Sequence, residues 1–321
     1  MKAPLRLSYS DMYPGFDEHD NLVTRSLRVV FEVEIVPMQE AELLVFGDFG
    51  TRHWRFPGRK AYLTGENMRP DFNQCDLAFT PYEVTGDSRA VRLPFYALVL
   101  NNPEALTVAR RQEARGTREG FCCFIASNPR CRERNRAFKA LHRRRHVDSW
   151  GRVFNNTGST AGDKAACLRN YRFNLAFENS SDTGYITEKL VDPLLEGTIP
   201  IYWGAPDVGR DFNPGCMINA ADFSSPDELA EAVIAIDSDS GRRRELLTAP
   251  IFAGDGMPQA LRGDTIRLAV QDLMLNRKPA SRIHRQRRVR EHIHDSRGWL
   301  GNKWDALSCK TEVLAWRLGW R

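Results

Sequence analysis

The tightest constraint on this fold lies between residues 173 and 204. Residues 173–179 (FNLAFEN) form an apolar run of strand length, followed by helix-start chemistry at Ser180, Ser181 and Asp182. Ile186, Leu190, Val191 and Leu194 then recur at helical spacing within 185–196, and Gly197 marks the end of the helix. Residues 199–203 (IPIYW) are a second short apolar strand, stopped by Gly204. Strand, helix and strand within 31 residues predict a βαβ unit with parallel strands and a right-handed crossover. Pro193 interrupts the helical pattern and predicts a kink or an early end there.

The pattern continues upstream. Residues 121–127 (FCCFIAS) read as a buried strand stopped by Ser-Asn-Pro, and 131–145 as a basic helix with Phe138 and Leu141 on one face. Residues 146–151 read as a short strand. The second half is therefore expected to be a doubly wound α/β domain. In the first half, 42–47, 61–66 and 76–83 read as strands separated by turn-rich connections, which suggests a second α/β domain. The polar stretch 101–119 reads as a linker. The tail from Trp299 to Trp320 carries regularly placed Trp, Leu and Val, and reads as a helix packed against something.

Length and charge narrow the classes. A chain of 321 residues is about two domains long, and 42% hydrophobic with 27% charged residues is ordinary globular usage. No apolar run reaches the ~18–20 residues of a membrane span, and the N-terminus lacks the apolar core of a signal peptide. The seven cysteines include no CxxC, and two of them, Cys122 and Cys123, lie in an apolar run. Buried free thiols in a reducing compartment are expected, so a cytoplasmic location. The net charge of +5 is unevenly spread. Residues 130–145 carry +7 and 277–298 carry +6, leaving the remainder at −8. Such patches suggest an anionic partner: a phosphate, a nucleic acid or an anionic membrane surface.

The common signatures are missing. There is no GxxxxGK[ST], no GxGxxG after a strand, no HExxH and no GxSxG, and no histidine spacing supports zinc. Asp237-Ser238-Asp239 is a DxD triplet, but it follows an amphipathic stretch and reads as a helix end and loop, so no metal site is expected. The informative residues sit in the βαβ unit. Its first strand delivers Glu178 and Asn179 to its carboxyl end, where open α/β sheets bind ligands. Tyr185, Thr187, Glu188 and Lys189 follow around the helix start, whose free N–H groups and dipole attract phosphate. On local pattern alone, a capping turn with a surface Glu-Lys pair is an equally good account.

Three segments carry a family resemblance. Phe177-Glu178-Asn179-Ser180, Tyr185-Ile186-Thr187-Glu188-Lys189-Leu190 and Gly197-Thr198-Ile199-Pro200-Ile201-Tyr202-Trp203-Gly204 resemble, in order and spacing, the signature of the α1,3/α1,4-fucosyltransferases of glycosyltransferase family 10. Residues 121–141 resemble the family's first donor-domain strand and its basic helix. Gly65-Glu66-Asn67, Asp71-Phe72-Asn73 and Asp76 resemble its acceptor-domain motif. The Asp-Glu pair the family carries near Phe79-Thr80-Pro81-Tyr82-Glu83 is not reproduced, and no heptad repeats precede the tail.

The resemblance implies a GT-B fold: two Rossmann-like domains facing across a cleft. The expected division is an acceptor domain over 1–118, with 299–321 crossing back onto it, and a GDP-fucose domain over 119–298. It implies inversion at the anomeric carbon and transfer of L-fucose to an N-acetylglucosamine-containing glycan, α1,3 in the first instance. Glu66 matches the general base, and Arg134 and Lys189 match the cations on the donor diphosphate. Glu188 matches a residue for the donor hydroxyls, and Asn179 and Tyr185 match donor contacts. The other arginines of 130–145 are expected to face solvent or shape the field. No obligate cofactor is implied, though Mn²⁺ or Mg²⁺ could stimulate. The basic run 277–298 with the Trp-rich end allows peripheral contact with the inner face of an anionic membrane. Two alternatives stand beside this reading. One is a GT-B enzyme for another nucleotide sugar. The other is a nucleic-acid-binding protein, disfavoured because no base-stacking motif is present.

Overall fold

The structure, a computed structural model, describes residues 2–100, 103–106, 118–254, 256–276, 309–311, 313, 314 and 316. These residues fall into two compact units. The first contains residues up to 100, together with 183–185 and 257–276. Its six parallel strands are β1 (Ala3–Ser10), β2 (Phe31–Ile35), β3 (Leu43–Phe46), β4 (Arg59–Leu63), β5 (Leu77–Thr80) and β6 (Ala90–Arg92). They lie in the order β2-β1-β3-β4-β5-β6. β3 and β5 are buried along their whole length, as expected of strands covered on both faces. Helix α1 (Leu22–Arg28) starts at Asn21, whose side chain accepts from Thr24 N at 2.9 Å, and α2 (Phe95–Val99) follows the sheet.

The second unit holds β7 (Gly120–Phe124), β8 (Asp148–Ser149), β9 (Tyr171–Phe177), β10 (Ile199–Trp203) and β11 (Ile218–Asn219). All pair in parallel, in the order β8-β7-β9-β10-β11. Its helices are α3 (Arg132–Arg144), α4 (Lys164–Arg169), α5 (Glu188–Leu195), α6 (Pro226–Ser238) and α7 (Ser240–Thr248). Strand order reverses between β7 and β9, and in the first unit between β1 and β3. At such a switch point neighbouring connections leave on opposite faces of the sheet, so a crevice opens beyond the carboxyl ends of the strands.

The expected βαβ unit is β9-α5-β10. Pro193 lies within α5 and the helix ends two residues after it, at Leu195. Gly197 then turns the chain at φ +62°, a left-handed conformation glycine adopts without a Cβ clash. The expected strand over 121–127 is shorter, ending at Phe124. All seven cysteines are free, six of them buried, as the sequence suggests.

Domain boundaries differ from the expected 1–118 and 119–298. Arg118 belongs to the second unit. Its guanidinium donates to the carbonyls of Arg169 (3.0 Å) and Tyr171 (3.2 Å) and to Thr198 Oγ1 (3.0 Å), tying the start of β7 to α4 and β10. Helix α8 (Thr265–Asn276) groups with the first unit; its Ile266, Val270 and Leu273 are buried at i, i+4 and i+7, and it packs against α1 and β5. Most of the expected crossing segment 299–321 lies outside the described residues. The described tail residues instead join the second unit. Val313 is buried in its core, and Trp316 meets the rings of Phe138, His142 and Phe154 at 5.5, 5.2 and 5.3 Å. Trp316 thus joins an aromatic cluster formed by Phe138 and His142 of α3 with Phe154. The basic run 277–298 lies outside the described residues.

The arginines of 130–145 other than Arg134 are exposed, as expected, and three of them also make ion pairs. Arg143 and Arg144 pair with Asp227 (3.1 and 2.5 Å), and Arg144 also with Glu231 (2.9 Å), both on α6. Arg145 pairs with Asp237, which Arg172 also reaches at 2.6 Å. These arginines bind the acidic face of α6 because α3 and α6 pack side by side. Asp237 is nearly buried between two cations, and Asp239 caps α7 by accepting from Arg242 N at 3.0 Å. The DxD triplet is therefore a helix end and a cap, as read from the sequence.

Trp316→Ala should lower the unfolding free energy by about 2 kcal/mol, below the usual cost for a fully buried Trp because this one is half-buried. Urea denaturation would test this, and an unchanged midpoint would remove the tail from the core.

Candidate active site

The second unit's switch point brings the sequence-selected residues together. β7 ends at Phe124 and the chain runs through Ser127-Asn128-Pro129 into α3, whose third residue is Arg134. Arg134 is buried, at 2% exposure, and points back under the strand ends. Nη1 donates to Asn179 Oδ1 at 3.1 Å and to the Phe177 carbonyl at 3.4 Å, and Nη2 donates to the Asn128 carbonyl. Arg134 and Asn179 were selected separately from the sequence, and a direct hydrogen bond joins them. A buried guanidinium costs desolvation, which these acceptors offset in part.

Glu178 organises the other wall. It is fully buried at the carboxyl end of β9. Its carboxylate accepts from Thr187 N at 2.8 Å and from Thr187 Oγ1 at 2.7 Å. Thr187 in turn caps α5, accepting from Lys189 N at 3.3 Å. One carboxylate therefore fixes the turn from which Glu188 and Lys189 emerge. Gly204 at the end of β10 makes room for it: a Cβ there would stand 2.4 Å from Glu178 Cγ. Burial pushes the Glu178 carboxyl up to about 7, against the Lys189 charge 3.6 Å away and the two Thr187 hydrogen bonds, which favour the ionised form.

Lys189 Nζ also lies 3.2 Å from Glu188 Oε1. Burial alone would raise the Glu188 carboxyl, but the charges of Lys189 and Lys164 outweigh it and hold Glu188 below the usual glutamate range. Glu188 is thus an ionised acceptor able to take hydrogen bonds from hydroxyls.

A narrow recess at this point is lined by Arg134, Lys164 and Lys189, with backbone and apolar atoms of Ile125, Ala126 and Phe177. Lys164, the first residue of α4, was not singled out by sequence reading. Neither was Asp192, which meets it at 2.6 Å. Their spacing from the signature gives no signal, because α4 reaches the recess only through the sheet order.

The remaining expected residues lie in the first unit. Glu66 is exposed in the turn after β4. That turn is pinned from below: Glu66 N donates to Thr64 Oγ1 at 3.0 Å, and Thr64 Oγ1 donates to Asp48. Two acidic residues of the accompanying motif are structural. Asp71 organises a turn with Asn73, and Asp76 accepts from Lys60 N at 2.8 Å. Tyr185 is buried and groups with the first unit, along with Thr183 and Gly184. Among the described residues, no cluster of His, Cys, Asp and Glu could hold a metal ion, and no helix is long and apolar enough to cross a membrane.

Residues 116–247 match the family model of the glycosyltransferase family 10 (fucosyltransferase) C-terminal region. Residues 7–99 match that of the alpha-(1,3)-fucosyltransferase FucT N-terminal domain. The chain belongs to the family 10 fucosyltransferases. It is 33% identical over 207 residues to the alpha-(1,3)-fucosyltransferase FucT of Helicobacter pylori, covering 54% of this chain and 43% of that protein. It is 30% identical over 189 residues to the GDP-fucose protein O-fucosyltransferase 3 of Gallus gallus, covering 53% of this chain and 40% of that protein. The chain thus spans less than half the length of these curated relatives. It also resembles a crystal structure of an alpha1,3-fucosyltransferase with GDP-fucose, with a TM-score of 0.74 and 25% identity over 87% of this chain and 92% of that one. The GT-B fold class inferred from the signature is the one observed.

The raised Glu178 carboxyl has a stability consequence. The folded chain holds this proton more tightly than the unfolded chain, whose ordinary value is 4.5. The contribution is complete below 4.5 and is lost as pH rises through about 7. Glu178→Gln cannot titrate, so its stability relative to the parent should improve between about pH 5 and about pH 8. Urea unfolding at both values checks this, and parallel pH curves would contradict the shift.

Proposed function

We propose that this protein is an inverting fucosyltransferase that moves L-fucose from GDP-fucose to a hydroxyl of an N-acetylglucosamine-containing glycan, with α1,3 linkage. The observation that carries the reading is the recess at the β7/β9 switch point, where Arg134 and Lys189 converge in a chain of this family. The similarity to a fucosyltransferase crystallised with GDP-fucose supports the donor.

In this reading an acceptor hydroxyl oxygen attacks C1 of fucose from the face opposite the diphosphate. The C1–O bond to the β-phosphate breaks, and its electron pair leaves with GDP. The hydroxyl proton passes to the Glu66 carboxylate, for which an exposed acid on a pinned turn is suited. Arg134 supplies a planar fork and Lys189 a point charge to the growing negative charge on GDP. Asn179 orients Arg134, and Glu188 accepts from donor hydroxyls or faces the positive charge that develops on the sugar. Tyr185 is assigned to donor contact on the strength of the signature. The departing charge is met by these cations, and Mn²⁺ or Mg²⁺ is at most an accessory.

A second acceptor reading comes from the relatives named GDP-fucose protein O-fucosyltransferase 3. Here the hydroxyl would belong to a protein.

GDP release should be fastest with GDP-fucose among a panel of nucleotide sugars. Lactosamine-type glycans, chitobiose-core glycans and a folded protein then divide the acceptor readings. Preference for another sugar overturns the donor assignment. Glu66→Gln should cut transfer by about 10²-fold or more while leaving GDP affinity nearly unchanged, and parent-like turnover removes Glu66 from the role of base. Arg134→Ala and Lys189→Ala should each raise KM for GDP-fucose by roughly tenfold or more, and normal donor kinetics in both would undo the diphosphate assignment.

A further inference from the structure

Lys164 stands out because local structure gives no reason for a cation in its position. It is the first residue of α4, directly after Asp163, which caps that helix by accepting from Ala166 N at 3.0 Å. Exposed N–H groups already concentrate positive charge at a helix start, so lysine is disfavoured there. Its ammonium nevertheless turns into the recess that Arg134 and Lys189 line. There it lies 2.6 Å from Asp192 on α5, one turn after Glu188. Asp192 is itself partly buried, with its carboxyl raised mainly by burial despite the adjacent cation. The desolvation cost of the pair falls on Asp192, while Lys164 keeps 38% of its side chain exposed.

Charge supports the same conclusion. Arg134, Lys164 and Lys189 line one small recess; Lys189 lies near Glu178 and Glu188, and Lys164 pairs with Asp192. Without a ligand each lysine is partnered by carboxylates. A nucleoside diphosphate brings its own negative charge and competes for those cations. Lys164 lies near enough to lower the Glu188 carboxyl, so it shares an electrostatic environment with the donor-side residues.

We infer that Lys164 is a third cation of the donor site, contacting the diphosphate, and that Asp192 is the positioning residue that holds it there. This rests on the donor reading of the same recess given above.

The test is binding of GDP and of guanosine, which lacks the phosphates, by titration calorimetry. Lys164→Met keeps the stem and removes the charge. It should weaken GDP roughly tenfold, leave guanosine within about twofold, and lower the steepness with which GDP affinity falls with salt. Lys164→Arg should restore most of the lost affinity. Asp192→Asn should weaken GDP by a smaller factor, and adding it to Lys164→Met should cause no further loss. Arg134→Ala and Lys189→Ala are measured in parallel. Unchanged GDP affinity in Lys164→Met, with clear losses in those two, overturns the inference alone. Unchanged affinity in all three overturns the donor reading and this inference with it. Equal weakening of GDP and guanosine marks a damaged crevice and overturns the diphosphate contact. Unchanged GDP affinity in Asp192→Asn overturns the positioning role.

Discussion

Glu178 is the point at which backbone topology becomes a chemical site. Its carboxylate, fully buried at the end of β9, takes both the backbone N–H and the hydroxyl of Thr187. The strand end and the helix start are thereby locked into one unit, and Lys189 and Glu188 follow at fixed positions. Burying a carboxylate is costly, and two hydrogen bonds and a nearby ammonium offset part of that cost. The compensation works only because Gly204 leaves space beside Glu178 and because β10 lies next to β9. Small changes at any of these positions would reach the recess through that carboxylate.

The switch point supplies the other half of the geometry. β7 and β9 are neighbours although β8 lies between them in sequence. Arg134, carried by the helix after β7, can therefore donate to Asn179 and Phe177 at the end of β9. The three cations of the recess come from three different helices, α3, α4 and α5, each leaving the sheet near its carboxyl edge. The basic character of α3 has two separate uses. Arg134 turns inward to the recess, whereas Arg143, Arg144 and Arg145 bind the acidic face of α6. The concentrated charge of residues 130–145 is thus partly structural cement between two helices, and Arg134 is its residue in the recess.

Much of the recess was legible from the chain alone. The βαβ unit over β9, α5 and β10 followed from apolar periodicity and from Gly197 and Gly204, whose conformational needs are local. Arg134, Asn179, Glu188 and Lys189 were identifiable through the signature, and four local observations became one connected site. Lys164 and Asp192 were not legible, because their meeting depends on the packing of α4 against α5. The placement of the described tail residues was likewise not legible. Amphipathic periodicity shows that a helix has an apolar face but does not say which surface covers it. For Val313 and Trp316 that surface is the core around Phe138 and Phe154, while α8 packs within the first unit.

The sequence by itself determined the fold class, the family and the identities of most charged groups, because strand and helix periodicity, turn glycines and motif spacing are all short-range properties. Tertiary structure decided which of those charges meet. It buried Glu178, aimed Arg134 at Asn179, brought Lys164 to Asp192 and spent Arg143–Arg145 on α6. Electrostatic interaction depends on separation and burial, and neither is encoded by distance along the chain.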